Sequence, residues 1–183
     1  MLVKTYGSAV YGVDAQTITV EVNVDGPVGS GLGYFLVGLP DNAVREGYQR
    51  IQAAVKNSGL RLPRLTTTVN MAPADIRKEG SAYDLPIAIG MLSAMKQMTA
   101  DIVSDFVMMG ELSLDGTLQP IKGALPIAIQ ARKEKFRGLI VPKANAQEAA
   151  IVNKLEVYGV ENIREVVDFL NGDKVLEPVV FDP

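Results

Sequence analysis

The chain has 183 residues, a formal net charge of −3 and 48% hydrophobic residues, so it is long and apolar enough to bury the core of one domain. It contains no cysteine and no histidine, which excludes disulfides, thiolate nucleophiles, His-based zinc sites and Ser-His-Asp catalysis within the chain. The acidic balance argues against a broad nucleic-acid-binding surface. A cysteine-free chain suits a reducing compartment, and we expect a cytoplasmic location.

The first 70 residues are predicted to be rich in strands. Strands are predicted at residues 2–11, 17–24 and 34–37, and residues 17–24 alternate polar and apolar as a half-buried strand does. We interpret these three strands as an antiparallel meander. Asp41 is predicted to cap a helix that runs to about Lys56, and a β-branched strand follows at residues 65–70.

The remaining chain alternates helices and strands. An almost entirely apolar helix is predicted at residues 85–98 and is therefore expected at the centre of the fold. A hairpin is predicted to turn at Asp115-Gly116. Further strands are predicted at residues 106–109, 139–141 and 155–158, and further helices at residues 123–136, 145–153 and 162–170. This order predicts an α+β fold with a mixed sheet and helices mainly on one face, forming one domain over residues 1–170. Residues 171–183 lose all periodicity and are predicted to start a linker to a further domain.

The segment of residues 71–90, here called the signature segment, is the most informative part of the sequence. It leads from a predicted strand through a charged loop into the apolar helix, with Asp84 expected at the N-cap and Pro86 in the first turn. Charged loops that lead into helix N-termini are common functional sites, because the helix end offers free N–H groups. The candidate site residues of this segment are Asp75, Lys78, Glu79, Gly80, Tyr83, Asp84 and Pro86.

An ordered series of short motifs carries a family resemblance. The motifs are Gly38-Leu-Pro-Asp, Asn70-Met-Ala-Pro-Ala-Asp75, Lys78-Glu-Gly80, Tyr83-Asp-Leu-Pro-Ile-Ala88, Gly110-Glu-Leu-Ser-Leu-Asp-Gly and Gly123-Ala-Leu-Pro. With them the chain resembles, from about Met1 to Leu170, the N-terminal domain of the ComM/YifB family of magnesium-chelatase-like AAA+ ATPases. The resemblance implies a Lon-protease-like fold of the ribosomal-protein-S5-domain-2 type.

The same resemblance implies a function for the longer parent protein. The parent would be a DNA-associated helicase of natural transformation or recombination. It would assemble as a homo-oligomeric ring, and we expect a hexamer. ATP and Mg²⁺ would be bound by an ATPase domain outside this chain, because the chain has no Gly-x-x-x-x-Gly-Lys-Ser/Thr motif of its own. We expect the present domain to be a non-catalytic accessory or oligomerisation domain without a cofactor or a membrane contact.

The likeness to Lon raises the question of a peptidase. Lon-type peptidases use a serine nucleophile and a lysine base, and the resemblance places these two roles at Ala82 and Leu125. Both residues are aliphatic, so we expect no catalytic dyad. A divergent dyad of the neighbouring Ser81 and Lys122 stays open as the alternative function.

The charged and glycine-rich residues allow three other interpretations. Asp75, Glu79 and Asp84 have the oxygen ligands that Mg²⁺ prefers, but a helix cap at Asp84 and a solvated Lys78-Glu79 loop are simpler, and we expect no metal. The loop of residues 29–33 is predicted to connect two hairpin strands and not to bind phosphate. A DNA-facing surface and ordinary solvation are both open for six cations, Arg45, Arg50, Arg61, Arg64, Arg77 and Lys78.

Overall fold

The computed structural model describes residues 1–183 and contains one large sheet, one small hairpin and five α-helices. The strands are β1 (Leu2–Tyr11), β2 (Asp14–Pro27), β3 (Tyr34–Val37), β4 (Leu65–Ala72), β5 (Phe106–Met108), β6 (Glu111–Leu112), β7 (Leu118–Gln119), β8 (Gly138–Pro142) and β9 (Glu156–Val160). The helices are α1 (Asn42–Asn57), α2 (Asp84–Ala94), α3 (Ala124–Lys133), α4 (Lys143–Ala149) and α5 (Ile163–Leu170). Short 3₁₀ turns lie at Ser81–Tyr83 and Val103–Asp105.

The large sheet has seven strands in the order β3-β4-β2-β1-β5-β8-β9. The β1–β2 and β2–β4 pairs are antiparallel, and the other four pairs are parallel. The predicted α+β class with a mixed sheet is therefore confirmed, as is the β6–β7 hairpin. The predicted meander is wrong, because β3 pairs in parallel with β4 and does not pair with β2. The helix α1 between β3 and β4 supplies the long crossover that a parallel pair needs.

Helix α2 is the centre of the fold, as predicted, since all of its residues are buried. A Cβ atom at Gly90 would come within 2.7 Å of a Val22 methyl group, so the glycine lets the helix approach the sheet closely. The hydroxyl of Thr5 in β1 donates to the Pro86 carbonyl at 2.7 Å and ties the first turn of α2 to the same sheet face.

The helices lie on both faces of the sheet, which differs from the expectation of one face. Thr5 contacts α2, whereas its neighbour Tyr6 packs edge-on against Phe136, just after α3, with ring centroids 5.0 Å apart. Adjacent residues of a strand point to opposite faces, so α2 and α3 lie on opposite sides. Tyr34 of β3 stacks on Tyr48 of α1 on the α2 side.

The crossovers β3–α1–β4 and β5–α3–β8 therefore have opposite hands, because both step in the same direction along parallel strands. One of the two is the rare left-handed kind. A sequence pattern carries no signal for this choice, since either hand buries the same apolar stripe.

The segment after Leu170 forms no helix or strand. Its Val179 N–H donates to the Val157 carbonyl at 2.7 Å, so this tail lies along the outer edge of β9. The domain boundary at residue 170 stays a prediction. No helix is long and apolar enough to cross a membrane.

Replacing Ile89 in α2 with Asp is expected to unfold the protein. Ile89 is fully buried, and an unpaired carboxylate there costs a large share of the ~5–15 kcal/mol that stabilises a typical domain. Circular dichroism during heating checks this. The control Ile151→Asp adds the same charge at a half-exposed side chain and should keep the wild-type transition. Equal melting of both variants would contradict the central position of α2.

Candidate functional site

The site is built around an ion pair at the start of α2. Arg50 of α1 donates to both carboxylate oxygens of Asp84, from Nε at 2.7 Å and from Nη2 at 3.0 Å, and the Leu112 N–H donates to Oδ2 at 3.0 Å. The Asp84 side chain is only 2% exposed and that of Arg50 21%. A Cβ atom at Gly47 would come within 2.5 Å of Asp84 Oδ1, so this glycine makes room for the carboxylate. The pair joins α1, α2 and β6.

Burial and pairing act in opposite directions on this carboxylate. Burial is the larger influence and raises the pKa of Asp84, while the hydrogen bonds from Arg50 and the Leu112 N–H lower it. The Asp84 contact in turn raises the pKa of Arg50, which is charged at any ordinary pH. The carboxylate has a structural partner on each side and no free face for a ligand. Asp84 is also not the predicted N-cap, since it lies inside the helix and Tyr83 precedes it.

Lys78 is buried, which corrects the expectation of a solvated loop residue. Its side chain is fully enclosed, and its ammonium donates to the Gly38 carbonyl at 2.8 Å and to the Pro73 carbonyl. Burial lowers the pKa of Lys78, and the charge of Asp75 acts in the opposite direction. A Cβ atom at Gly38 would overlap the Met71 carbonyl, so only glycine fits beside the loop here.

Asp41 joins the same two segments a second time. One carboxylate oxygen accepts the Val44 N–H at 2.9 Å and caps α1, as predicted. The other oxygen accepts the Gly80 N–H at 3.1 Å in the signature segment. The backbone adds two more links, from the Lys78 N–H to the Leu39 carbonyl and from the Asp41 N–H to the Lys78 carbonyl. Two motifs that lie far apart in the sequence therefore form one connected unit.

The Ser81 hydroxyl donates to the carboxylate of Glu111 and not to an amine. The adjacent Ala82 carbonyl accepts the Gly110 N–H at 2.8 Å, and the Gly110 carbonyl accepts the Leu85 N–H at 3.1 Å. Lys122 is exposed and makes no hydrogen bond or ion pair. Leu125 lies in the first turn of α3, where its N–H donates to Glu148. No hydrogen bond joins Ser81 to Lys122.

An open groove borders the signature segment. Its cavity of about 460 Å³ is lined by residues from the end of β1 and from the loop, among them Tyr11, Asp75, Arg77, Glu79 and Tyr83. A second cavity of about 620 Å³ lies beside Leu39, Asp41 and Arg45, and Arg77 lines both. The Arg77–Glu79 pair, at 3.2 Å, is largely exposed. Burial raises the pKa of Tyr83. The groove can offer hydrogen bonds, two carboxylates and one cation to a ligand.

The other readings of the sequence are decided by the same contacts. Asp75 and Glu79 are exposed, whereas Asp84 is buried against Arg50, so these three carboxylates do not form a shared metal site. No group of three His, Cys, Asp or Glu residues is placed to hold a metal ion. The loop of residues 29–33 connects β2 to β3, which both flank β4, so it is not a hairpin loop. Arg50 and Lys78 are engaged internally, which removes both from the six cations of a DNA-facing surface.

Besides Lys78 and Asp84, the sequence does not predict the roles of Arg50, Glu111, Gly47 and, in part, Asp41. Arg50 was read as a surface cation and Glu111 was not singled out, because their partners lie 34 and 30 residues away along the chain. Gly47 offered the clearest signal, since a glycine inside a predicted helix often marks a close contact. The double role of Asp41 had no local signal.

Comparison with known proteins identifies the class. The family model described as "Subunit ChlI of Mg-chelatase" matches residues 20–145, more than half of the chain. The chain therefore belongs to the ChlI family of magnesium chelatase subunits.

Within this family, the chain is similar to several individual proteins. The chain is 40% identical over 175 residues to the competence protein ComM of Haemophilus influenzae, covering 96% of this chain and 34% of that protein. It is 41% identical over 170 residues to the uncharacterized protein YifB of Escherichia coli K12, and this match covers 92% of this chain and 33% of YifB. An archaeal Lon protease of Thermococcus kodakarensis is 29% identical over 143 residues, covering 75% and 22%. The predicted resemblance to ComM and YifB is confirmed, and the chain spans about a third of their length.

Replacing Asp84 with Asn is expected to lower the free energy of unfolding by about 3 kcal/mol, because removing one partner leaves the other charge of a buried pair uncompensated. Urea unfolding followed by circular dichroism measures the loss. The control Asp168→Asn breaks the more exposed pair with Arg164 and should cost less than ~1 kcal/mol. Similar losses in the free energy of unfolding of the two variants would show that the buried Asp84 pair stabilises the fold no more than an exposed ion pair does.

Proposed function

We propose that this chain is a non-catalytic accessory and oligomerisation domain of a magnesium-chelatase-like AAA+ ATPase. The observation that carries the proposal is the environment of Ser81, whose hydroxyl is bound to the Glu111 carboxylate. A serine nucleophile needs a neighbouring base that accepts its proton, and a desolvated lysine serves that purpose in a Ser-Lys dyad. Lys122 is exposed, and the buried Lys78 amine is held by two backbone carbonyls.

Similarity to ComM supports the identity of the parent. The competence protein ComM is 40% identical over nearly the whole chain and about three times as long. We propose that the parent binds ATP and Mg²⁺ through a separate ATPase domain, forms a homo-oligomeric ring in the cytoplasm and acts on DNA as a helicase in transformation or recombination. The present domain contacts that ATPase domain and has the S5-domain-2-like, Lon-related fold.

The peptidase alternative has a direct test. The purified chain is incubated with fluorescent casein and, separately, with a fluorophosphonate probe that labels activated serines. We expect neither turnover nor labelling, because no lysine amine contacts the Ser81 hydroxyl, which is hydrogen-bonded to the Glu111 carboxylate instead. The Ser81→Ala variant and the control Ser30→Ala, at an exposed loop serine, should both match the wild type. Hydrolysis that disappears in Ser81→Ala and in Lys122→Gln but persists in Ser30→Ala would establish the peptidase and refute the accessory role.

The ATPase parent has an independent test in the gene itself. The coding sequence that follows codon 183 is expected to encode a Gly-x-x-x-x-Gly-Lys-Ser/Thr motif within roughly 50 residues, the P-loop that cradles nucleotide phosphates. A reading frame without that motif would contradict the proposed parent.

A further inference from the structure

Residues 26–40 contain no charged side chain, although the chain as a whole is 21% charged. This uncharged segment includes β3 and contains four large apolar residues that are each between 50% and 56% exposed to solvent. They are Leu32, Phe35, Val37 and Leu39. The next longest uncharged run, residues 85–95, is entirely buried in and after α2, and the third, residues 65–74, consists mainly of β4 inside the sheet. Of the uncharged runs of ten or more residues, only this segment exposes large apolar side chains.

Strand β3 is one edge of the large sheet, because it pairs only with β4. Natural proteins usually protect such edges with charged residues, prolines or bulges, since unpaired N–H and C=O groups attract another strand. β3 has none of these devices within its four residues, Tyr34–Val37. The opposite edge, β9, is partly covered by the tail through Val179.

The side chains of β3 alternate between a covered and an open face. Tyr34 stacks on Tyr48 of α1, with ring centroids 4.1 Å apart, so this side of the strand is closed. Phe35 and Val37 point to the other side and are 56% and 50% exposed. The edge thus offers both backbone groups and an apolar surface to a partner.

We propose that a second copy of this chain covers this edge, by antiparallel pairing of the two β3 strands across a two-fold axis. The tail of residues 171–183 does not cover it, because Val179 is hydrogen-bonded to Val157 at the opposite edge, which six strand spacings of ~4.8 Å place ~29 Å away. A strongly charged partner could form no ion pair with this segment, because the segment carries no charged side chain. A second β3 edge matches in backbone groups and apolar surface, and adds no like-charge repulsion to chains of net charge −3.

This inference goes beyond the proposed function, because it adds a contact between two copies that the proposed ring does not supply. A two-fold contact closes on two copies. It is thus distinct from the contact that closes a ring in the parent. A monomeric chain without peptidase activity would overturn the inference and leave the accessory role intact.

Sedimentation velocity of the 183-residue chain between ~10 and ~500 μM tests the proposal. The wild type should pass reversibly from monomer to dimer over this range. The variant Phe35→Lys/Val37→Lys should sediment as a monomer throughout, because two like charges would then face each other across the axis. The matched control Val13→Lys/Leu114→Lys adds the same charge at two exposed apolar residues in other turns and should dimerise like the wild type.

A cross-linking arm locates the contact. Because the chain has no cysteine, the single variant Phe35→Cys carries one thiol, and a short bismaleimide should join two copies far more efficiently than in the control Val13→Cys. A wild type that stays monomeric at every concentration overturns the proposal. Equal dimerisation of the Phe35→Lys/Val37→Lys variant and the control, or equal cross-linking at positions 35 and 13, also overturns it.

Discussion

The buried ion pair between Asp84 and Arg50 is the interaction on which the rest of the site depends. It fixes the start of the central helix α2 against α1, and the Leu112 N–H brings β6 to the same carboxylate. A buried carboxylate is tolerated only when its oxygens are paired. Gly47 provides the space and Arg50 the charge. A change at any of these positions therefore disturbs the junction of three elements.

The remaining motif residues extend this junction outward and are used mainly within the domain. Asp41 and Lys78 tie the segment before α1 to the signature segment, and Glu111 holds Ser81. Ser81 and Lys78 thus have internal partners, and no hydrogen bond joins Ser81 to the exposed Lys122, which supports a scaffolding role over a peptidase. The groove beside Arg77 and the uncharged edge of β3 both stay exposed.

The sequence predicted the elements well, because they depend on local patterns. The period of the apolar residues located the strands and helices, and the cap at Asp41 needed only its immediate neighbours. The pairing of β3 with β4 and the placement of helices on both faces depend on contacts between distant segments, which periodicity does not encode. Lys78 was misjudged for the same reason, since the carbonyl of Gly38 that binds its ammonium lies 40 residues away.

A double-mutant cycle between Arg50 and Asp84 tests the central claim most directly. The free energies of unfolding of Arg50→Met, Asp84→Leu and the double variant are compared with that of the wild type in urea. If the pair holds the junction together, the two substitutions are strongly coupled, with an interaction energy of about 2–3 kcal/mol, and the double variant is more stable than the sum of the single losses implies. Additive losses, with an interaction energy below about 0.5 kcal/mol, would show that the two residues act independently and would contradict the account.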